Sequence, residues 1–372
     1  MIFTTLIEKS YKSILKPIFF KKDPEEVHDR MLKFGQILGK IALLNFITKL
    51  VFDFNHAKLK QEVDGLTYRN PVGLSAGFDK DANLLKVIHN VGFSFAEIGS
   101  VTLHPYEGNP KPRLYRLKKD KGLVVFYGLK NIGVDKIIKK IKKDYKPLTG
   151  NVLGISIART NSAQASGLEE GIDDYTKSLD KIVVAGVGDY YTINISCPNT
   201  FYGEPYSTPE RLEKLLVSLL KIKIEKPIYL KMPINLPWDK FDLLLETAVK
   251  HHISGVIIGN LNKDRNSEYI TEKYPEDMRG GVSGIPTREL SNNLIRKTYL
   301  KYKDKLTIIG VGGIDSAESA YEKICYGATL VQMITGMIFN GPQLIGQINK
   351  GLVELLEKDG YENISEAIGS KV

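Results

Sequence analysis

Residues that move protons and charge stand in short polar strings along this chain. Lys80 closes Ser75-Ala76-Gly77-Phe78-Asp79-Lys80, Cys197 sits within Asn194-Ile195-Ser196-Cys197-Pro198-Asn199, and Lys231 ends an apolar run. A thiol with an ordinary pKa of about 8.5 becomes a base when nearby cations depress that value. Lys80 and Lys231 are the candidate cations. Cys325 lies on an apolar helix face and reads as a packing residue, whereas Cys197 is flanked by polar groups. Asn194, Asn199 and Asn260 each offer an amide donor and acceptor. They could bond loop backbone, but a planar ligand with alternating C=O and N–H groups suits at least two of them. Gly312-Gly313 and Thr335-Gly336 are either ordinary tight turns or backbone donors for a phosphate. Gly280-Gly281-Val282-Ser283-Gly284 reads as a further loop of close approach. No group of His, Cys, Asp and Glu has metal-ligand spacing. His28, His56, His89, His104, His251 and His252 fall away from these strings, which argues against a histidine-based triad.

The elements that carry these strings alternate. Short β-branched runs are expected as strands at 71–76, 95–100, 152–157, 190–196, 227–232, 255–260, 307–311 and 329–334. Helix-period segments follow near 81–90, 131–143, 169–186, 209–225, 238–251, 287–302, 315–326 and 342–357. Eight such units predict an α/β protein, a closed TIM (β/α)8 barrel. A doubly wound sheet competes, but the first strand lacks the glycine fingerprint that such sheets use. In a barrel, the polar strand ends converge on one mouth. The division expected is an N-terminal helical extension over 1–60 and a barrel over 61–372.

The extension has its own pattern. Apolar residues at 14–20 and again at 31–51 recur at helical spacing, separated by the polar stretch Lys22–Arg30. Two amphipathic helices joined by a polar turn are expected. Lys33, Lys40, Asn45 and Lys49 interrupt the second pattern, so no apolar run of ~18 residues is long enough to span a bilayer. The pair either caps the barrel or lies in a membrane surface, with lysines toward anionic headgroups. Among 372 residues, 52 Lys+Arg against 43 Asp+Glu give a net charge of +9, spread as lysine pairs with no arginine-rich tract, so nucleic acid is not an expected partner. Two cysteines make no disulfide framework.

Eight motifs, in order, resemble one family. They are DPEEVH (23–28), GLSAGFDKD (73–81), EIGSVT (97–102), GNPKPRLYRL (108–117), NISCPN (194–199), GGVSG (280–284), IIGVGGIDS (308–316) and LVQMITG (330–336). The chain resembles the dihydroorotate dehydrogenases, specifically the membrane-associated, quinone-dependent class 2 enzymes. The resemblance implies an FMN-containing barrel that oxidises dihydroorotate to orotate in pyrimidine synthesis. It implies that Ala76, Gly77, Ser100, Ser156, Asn194, Lys231, Gly259, Gly284, Gly313, Ile334 and Thr335 hold FMN. Lys80, Asn194, Asn199 and Asn260 would hold the pyrimidine, and Cys197 would remove its C5 proton as hydride leaves C6. The N-terminal helices would form the path by which quinone reoxidises the flavin. The implied location is peripheral, on the cytoplasmic face of the cell membrane, or on the inner mitochondrial membrane in a eukaryote.

Four positions depart from the family pattern. Cys197 replaces the serine usual in class 2, Val125 stands where a pyrimidine-contacting asparagine is usual, Ser156 replaces an asparagine, and Gly259-Asn260-Leu261 replaces Thr-Asn-Thr. A lost amide costs about 1–3 kcal/mol of ligand binding. The alternative function is therefore a divergent FMN oxidoreductase acting on a related, less polar cyclic substrate.

Overall fold

The computed structural model describes residues 2–200 and 203–372. Its centre is a closed barrel of eight parallel strands: Val72–Leu74, Phe95–Val101, Val152–Ile157, Tyr190–Asn194, Ile228–Met232, Gly255–Ile258, Thr307–Val311 and Leu330–Met333. Each strand pairs with the next in sequence, and Val331 pairs with Val72 to close the ring. The strands are β-branched and buried on both faces, as parallel strands covered by helices must be.

The bottom of the barrel is filled by aromatics. Tyr190 meets Tyr229 edge to face at 5.2 Å, and Tyr68 meets Phe95 at 5.4 Å. A Cβ on Gly154 would lie 2.1 Å from the Tyr190 ring, so only glycine leaves room there. The hairpin Gln61–Val63 and Leu66–Tyr68 covers this end. Above the mouth stands an antiparallel sheet of Leu114–Leu117, Gly122–Val125 and Gly281–Gly284. The Gly280–Gly284 string is thus largely an edge strand of this sheet rather than a loop.

Seven of the eight helices expected after the strands are present, from Val134–Asp144 to Leu344–Asp359. The helix expected at 81–90 is not: only Ile88–Val91 turns, as a 3-10 helix. The buried Asp79 carboxylate accepts the backbone N–H groups of Asn83 (2.7 Å) and Leu84 (2.8 Å), and Ala82 has a φ of +53°. This tight turn stops a helix. The apolar periodicity there serves packing under the extension instead: a Cβ on Gly35 would meet Leu84 Cδ2 at 2.5 Å, and one on Gly39 would meet Lys86 Cβ at 2.9 Å.

The extension is therefore the cover of the first β/α unit. It runs as Ile2–Ser10, a π-helical stretch Tyr11–Leu15, and Lys16–Phe20, then Pro24–Lys40 and Ala42–Phe52. The polar stretch 22–30 is mostly helix rather than turn. Asp23 caps it, accepting from Glu26 N at 2.9 Å, with Pro24 at the first helical position. The apolar pattern over 31–51 is two helices, bent by 107° at Ile41. No single described helix is long and apolar enough to cross a membrane.

Candidate active site

A hydrogen-bonded row crosses the barrel mouth. The Ser156 and Ser100 hydroxyls are 2.8 Å apart, Asn194 Nδ2 donates to Ser100 Oγ at 2.8 Å, and Ser196 reaches Asn194 Oδ1 at 3.3 Å through both N and Oγ. Asn260 Nδ2 then donates to Ser196 Oγ at 2.8 Å. Four strands converge their ends on this row because the barrel is closed. Ser196 is the member that sequence reasoning passed over; its place between two asparagines was the available signal.

One cavity opens over the row. Its wall includes Ala76, Gly77, Lys80, Ser100, Asn194, Cys197, Asn199, Lys231, Gly259, Asn260, Gly284, Gly313, Ile334 and Thr335. Among the expected site residues, Ser156 alone stands outside the wall. It is fully buried behind Ser100, because inward strand positions below the mouth are filled by side chains. Val125 and Leu261 do reach the wall and make that side apolar.

The asparagines are partly satisfied by the protein itself. Asn199 Nδ2 donates to Val125 O at 2.8 Å, and Asn260 Oδ1 accepts from Leu261 N at 2.9 Å. Each amide NH2 keeps a second hydrogen that a ligand can take.

The cations divide. Lys80 Nζ stands 3.9 Å from the centre of the Tyr127 ring, a cation–π contact. No ion pair to Lys80 occurs among the described residues. Loss of solvent pulls it down to about 8, opposed by the field of Asp81. Lys231 is buried and donates to Ser75 Oγ at 3.1 Å. Burial lowers it too, while the field of Glu97, and that of Cys197 once ionised, hold it up. Glu97 lies fully buried inside the barrel, its Oε2 accepting from Tyr190, Thr192 and Gln332 at 2.9–3.1 Å.

The expected cation-lowered thiol is corrected by the structure. Burial pushes Cys197 up to about 11, and the Asn199 backbone N–H and Lys231 only partly offset it. Lys80 is not among the groups that act on it. Desolvation wins because the thiolate is enclosed by a cavity wall that is mostly apolar.

On the far side the cavity reaches the extension. His28, Phe78, Leu114, Ile338 and Phe339 line it there. The His28 ring stands edge-on to Phe78 at 4.9 Å, and burial holds its pKa well below the usual histidine range. Phe20 meets Phe339 at 5.3 Å, and the Arg116 guanidinium lies over Phe20 at 4.7 Å. The histidine reading missed His28: no barrel strand carries it, so only the docking of the helix reveals it.

The glycine loops fit a phosphate-bearing group. Gly313 has a φ of +71°, and a Cβ there would lie 2.4 Å from Arg288 Cβ. A Cβ on Gly336 would lie 2.1 Å from Ile314 O. Both clashes are with protein, so packing requires glycine at these positions, and Gly312, Gly313 and Gly336 line the cavity with their main chain within reach of a ligand.

The family model for dihydroorotate dehydrogenase matches residues 58–356. The chain belongs to the dihydroorotate dehydrogenase family. The dihydroorotate dehydrogenase (quinone) of Christiangramia forsetii is 38% identical over 348 residues, covering 92% of this chain and 99% of that one. The enzyme of the same description from Crocosphaera subtropica is 36% identical, covering 94% of each. The solved structure of an Eimeria tenella dihydroorotate dehydrogenase in complex with ferulenol superposes with a TM-score of 0.83 at 25% identity, over 94% of this chain and 95% of that one. Coverage in all three extends past the barrel into the extension. Dihydroorotate dehydrogenases use FMN, and the residues present fit it: glycine loops lining the cavity for a phosphate, and a buried Lys231 with two hydrogens unspent beside the polar row.

Proposed function

We propose that this chain oxidises dihydroorotate to orotate with FMN and passes the electrons to a membrane quinone. One observation carries the reading: an enclosed lysine with no ion pair among the described residues, a thiol and three asparagine amides share one cavity with the glycine loops. Bound FMN supplies the hydride acceptor and then the electron donor. The protein does the rest. Lys80 attracts the substrate carboxylate in a site of low dielectric. Asn194, Asn199 and Asn260 present amides to the ring. Cys197 Sγ, as thiolate, takes the C5 proton. Lys231 would hold FMN from the buried side of the cavity and would supply positive charge that favours its reduced form.

Quinone access through the extension is supported by Phe78, Leu114, Ile338 and Phe339, apolar residues that line the same cavity as His28. Membrane contact is supported by the exposed apolar residues of the bent pair, with Leu43, Phe46 and Leu50 at 67%, 63% and 74% exposure. Singly such residues are ordinary; clustered on helices bearing Lys33, Lys40 and Lys49 they suit an anionic surface. We place the chain peripherally on a membrane by this route.

The test is anaerobic. Dihydroorotate bleaches the flavin of the purified holoenzyme, and vesicles carrying quinone restore its colour. An FMN-replete protein that dihydroorotate does not bleach overturns the proposal. Val125 and Leu261 favour a second reading, a less polar cyclic carboxylate. Such a compound bleaching the flavin at lower concentration than dihydroorotate would establish it.

The field at Lys80 adds a pH dependence. Below about 8 the free enzyme holds an ammonium there, and above it the amine is neutral. A bound carboxylate raises the value, so dihydroorotate affinity is flat below pH 8 and weakens above it, by as much as about tenfold per unit. Half-saturation of bleaching measured from pH 6 to 10 shows the break; in Lys80→Met it disappears.

A further inference from the structure

Glu25, in the first turn of Pro24–Lys40, is almost fully buried at 3% exposure. Three cations converge on its carboxylate: Arg113 at 3.0 Å, Lys130 at 3.5 Å and Lys111 at 3.8 Å. They come from two segments over the barrel mouth, 108–113 and 125–130.

Those segments are bound to each other and to the substrate side of the cavity. Asn109 N donates to Tyr127 O at 3.0 Å, Phe126 N donates to Arg113 O at 2.8 Å, and Arg113 Nε donates to Asn109 O. Asn109 Nδ2 donates to Asn199 O at 2.9 Å, and Asn199 Nδ2 to Val125 O at 2.8 Å. Tyr127, which carries Lys80 on its ring, belongs to the second segment. Without the carboxylate, three positive charges would face one another, and both segments would move apart.

We propose that Glu25 is a positioning residue for the ring-binding end of the site. It acts through Arg113 and Asn109 on Asn199, and through Lys130 on Tyr127 and Lys80. The N-terminal extension then completes the dihydroorotate pocket as well as the acceptor side. This rests on the function proposed above.

The experiment compares Glu25→Gln, Glu25→Asp and Glu8→Ala in the full-length holoenzyme. Glu8 accepts from Gln347 Nε2 at 2.7 Å and helps seat the first helix away from the mouth, so Glu8→Ala controls for general loosening of the extension. Removing one member of a buried ion cluster is costly. In Glu25→Gln, half-saturating dihydroorotate for anaerobic bleaching rises about tenfold or more, while the limiting bleaching rate changes less than about threefold. Glu25→Asp keeps most of the wild-type affinity, and Glu8→Ala keeps all of it. Amide exchange at Asn109 and Phe126 speeds up in Glu25→Gln alone. Unchanged half-saturation and exchange in Glu25→Gln, or equal changes in Glu8→Ala, overturn the clamp. A wild-type flavin that dihydroorotate leaves oxidised instead overturns the proposed function, and the exchange comparison still judges the clamp.

Discussion

Replacing Cys197 with alanine lowers the rate of flavin bleaching by dihydroorotate about a hundred- to ten-thousand-fold, the range that general bases contribute. FMN content stays at the wild-type level, because Cys197 is held by the Asn199 backbone N–H at the ring-binding end and, among the described residues, makes no bond to the glycine loops. Burial sets the pH profile. With the thiol pushed up to about 11, only a small fraction is thiolate near neutrality. The bleaching rate at saturating substrate therefore climbs with pH, by about tenfold per unit, until it approaches that value. This slope opposes the affinity loss caused by Lys80, so the rate and the half-saturation separate the two groups. In Cys197→Ala the slope vanishes. A variant that bleaches at the wild-type rate, or a wild type with a flat profile, would show that another group takes the proton. Of the titratable rings in the wall, His28 stands against Phe78 on the extension side and Tyr127 stands under Lys80.

The second large effect is at Lys231. Lys231→Met removes a buried cation that Glu97 acts on through its field. Glu97 is then a carboxylate enclosed by the barrel, with Oε1 unpartnered among the described residues. The two charges act on each other through the field rather than as an ion pair, so Lys231→Met unfolds at lower urea and loses FMN. Adding Glu97→Gln restores most of the stability, since the amide can replace the carboxylate in a cavity edged by Tyr190, Thr192 and Gln332. It does not restore the flavin: the double variant binds FMN weakly, and what it binds has a lowered midpoint potential, because the charge that favours reduced flavin is gone. Wild-type FMN content and potential in the double variant would remove Lys231 from the flavin site.

The strand ends were readable without coordinates. Alternation of apolar runs with helix-period segments is a local signal, and closure of eight parallel strands sends every strand end to one mouth. That logic brings Lys80, Cys197, Asn199, Lys231 and Asn260 together from residue type and strand order alone. Where it failed, a distant element had overridden a local pattern. Residues 81–90 have helical periodicity, yet Asp79 ties off the turn and the leucines pack beneath Gly35 and Gly39 of the extension. The polar stretch 22–30 resembles a turn by composition, yet it is helix whose charged residues face partners: Glu25 meets Arg113 and Lys130 across gaps of 88 and 105 residues.

The barrel and the inventory of groups at its mouth follow from residue type and periodicity, and the chemistry from the ordered motifs that carry the family resemblance. Only the tertiary structure decided how those groups behave. The thiol's pKa is a contest between desolvation and neighbouring charge, and burial wins. Ser156 proved a support behind Ser100 rather than part of the wall. His28 lines the cavity, and Glu25 meets Arg113 and Lys130, because the extension docks across the mouth. Solvation and long-range charge depend on which surfaces meet, and no local pattern of residues carries that information.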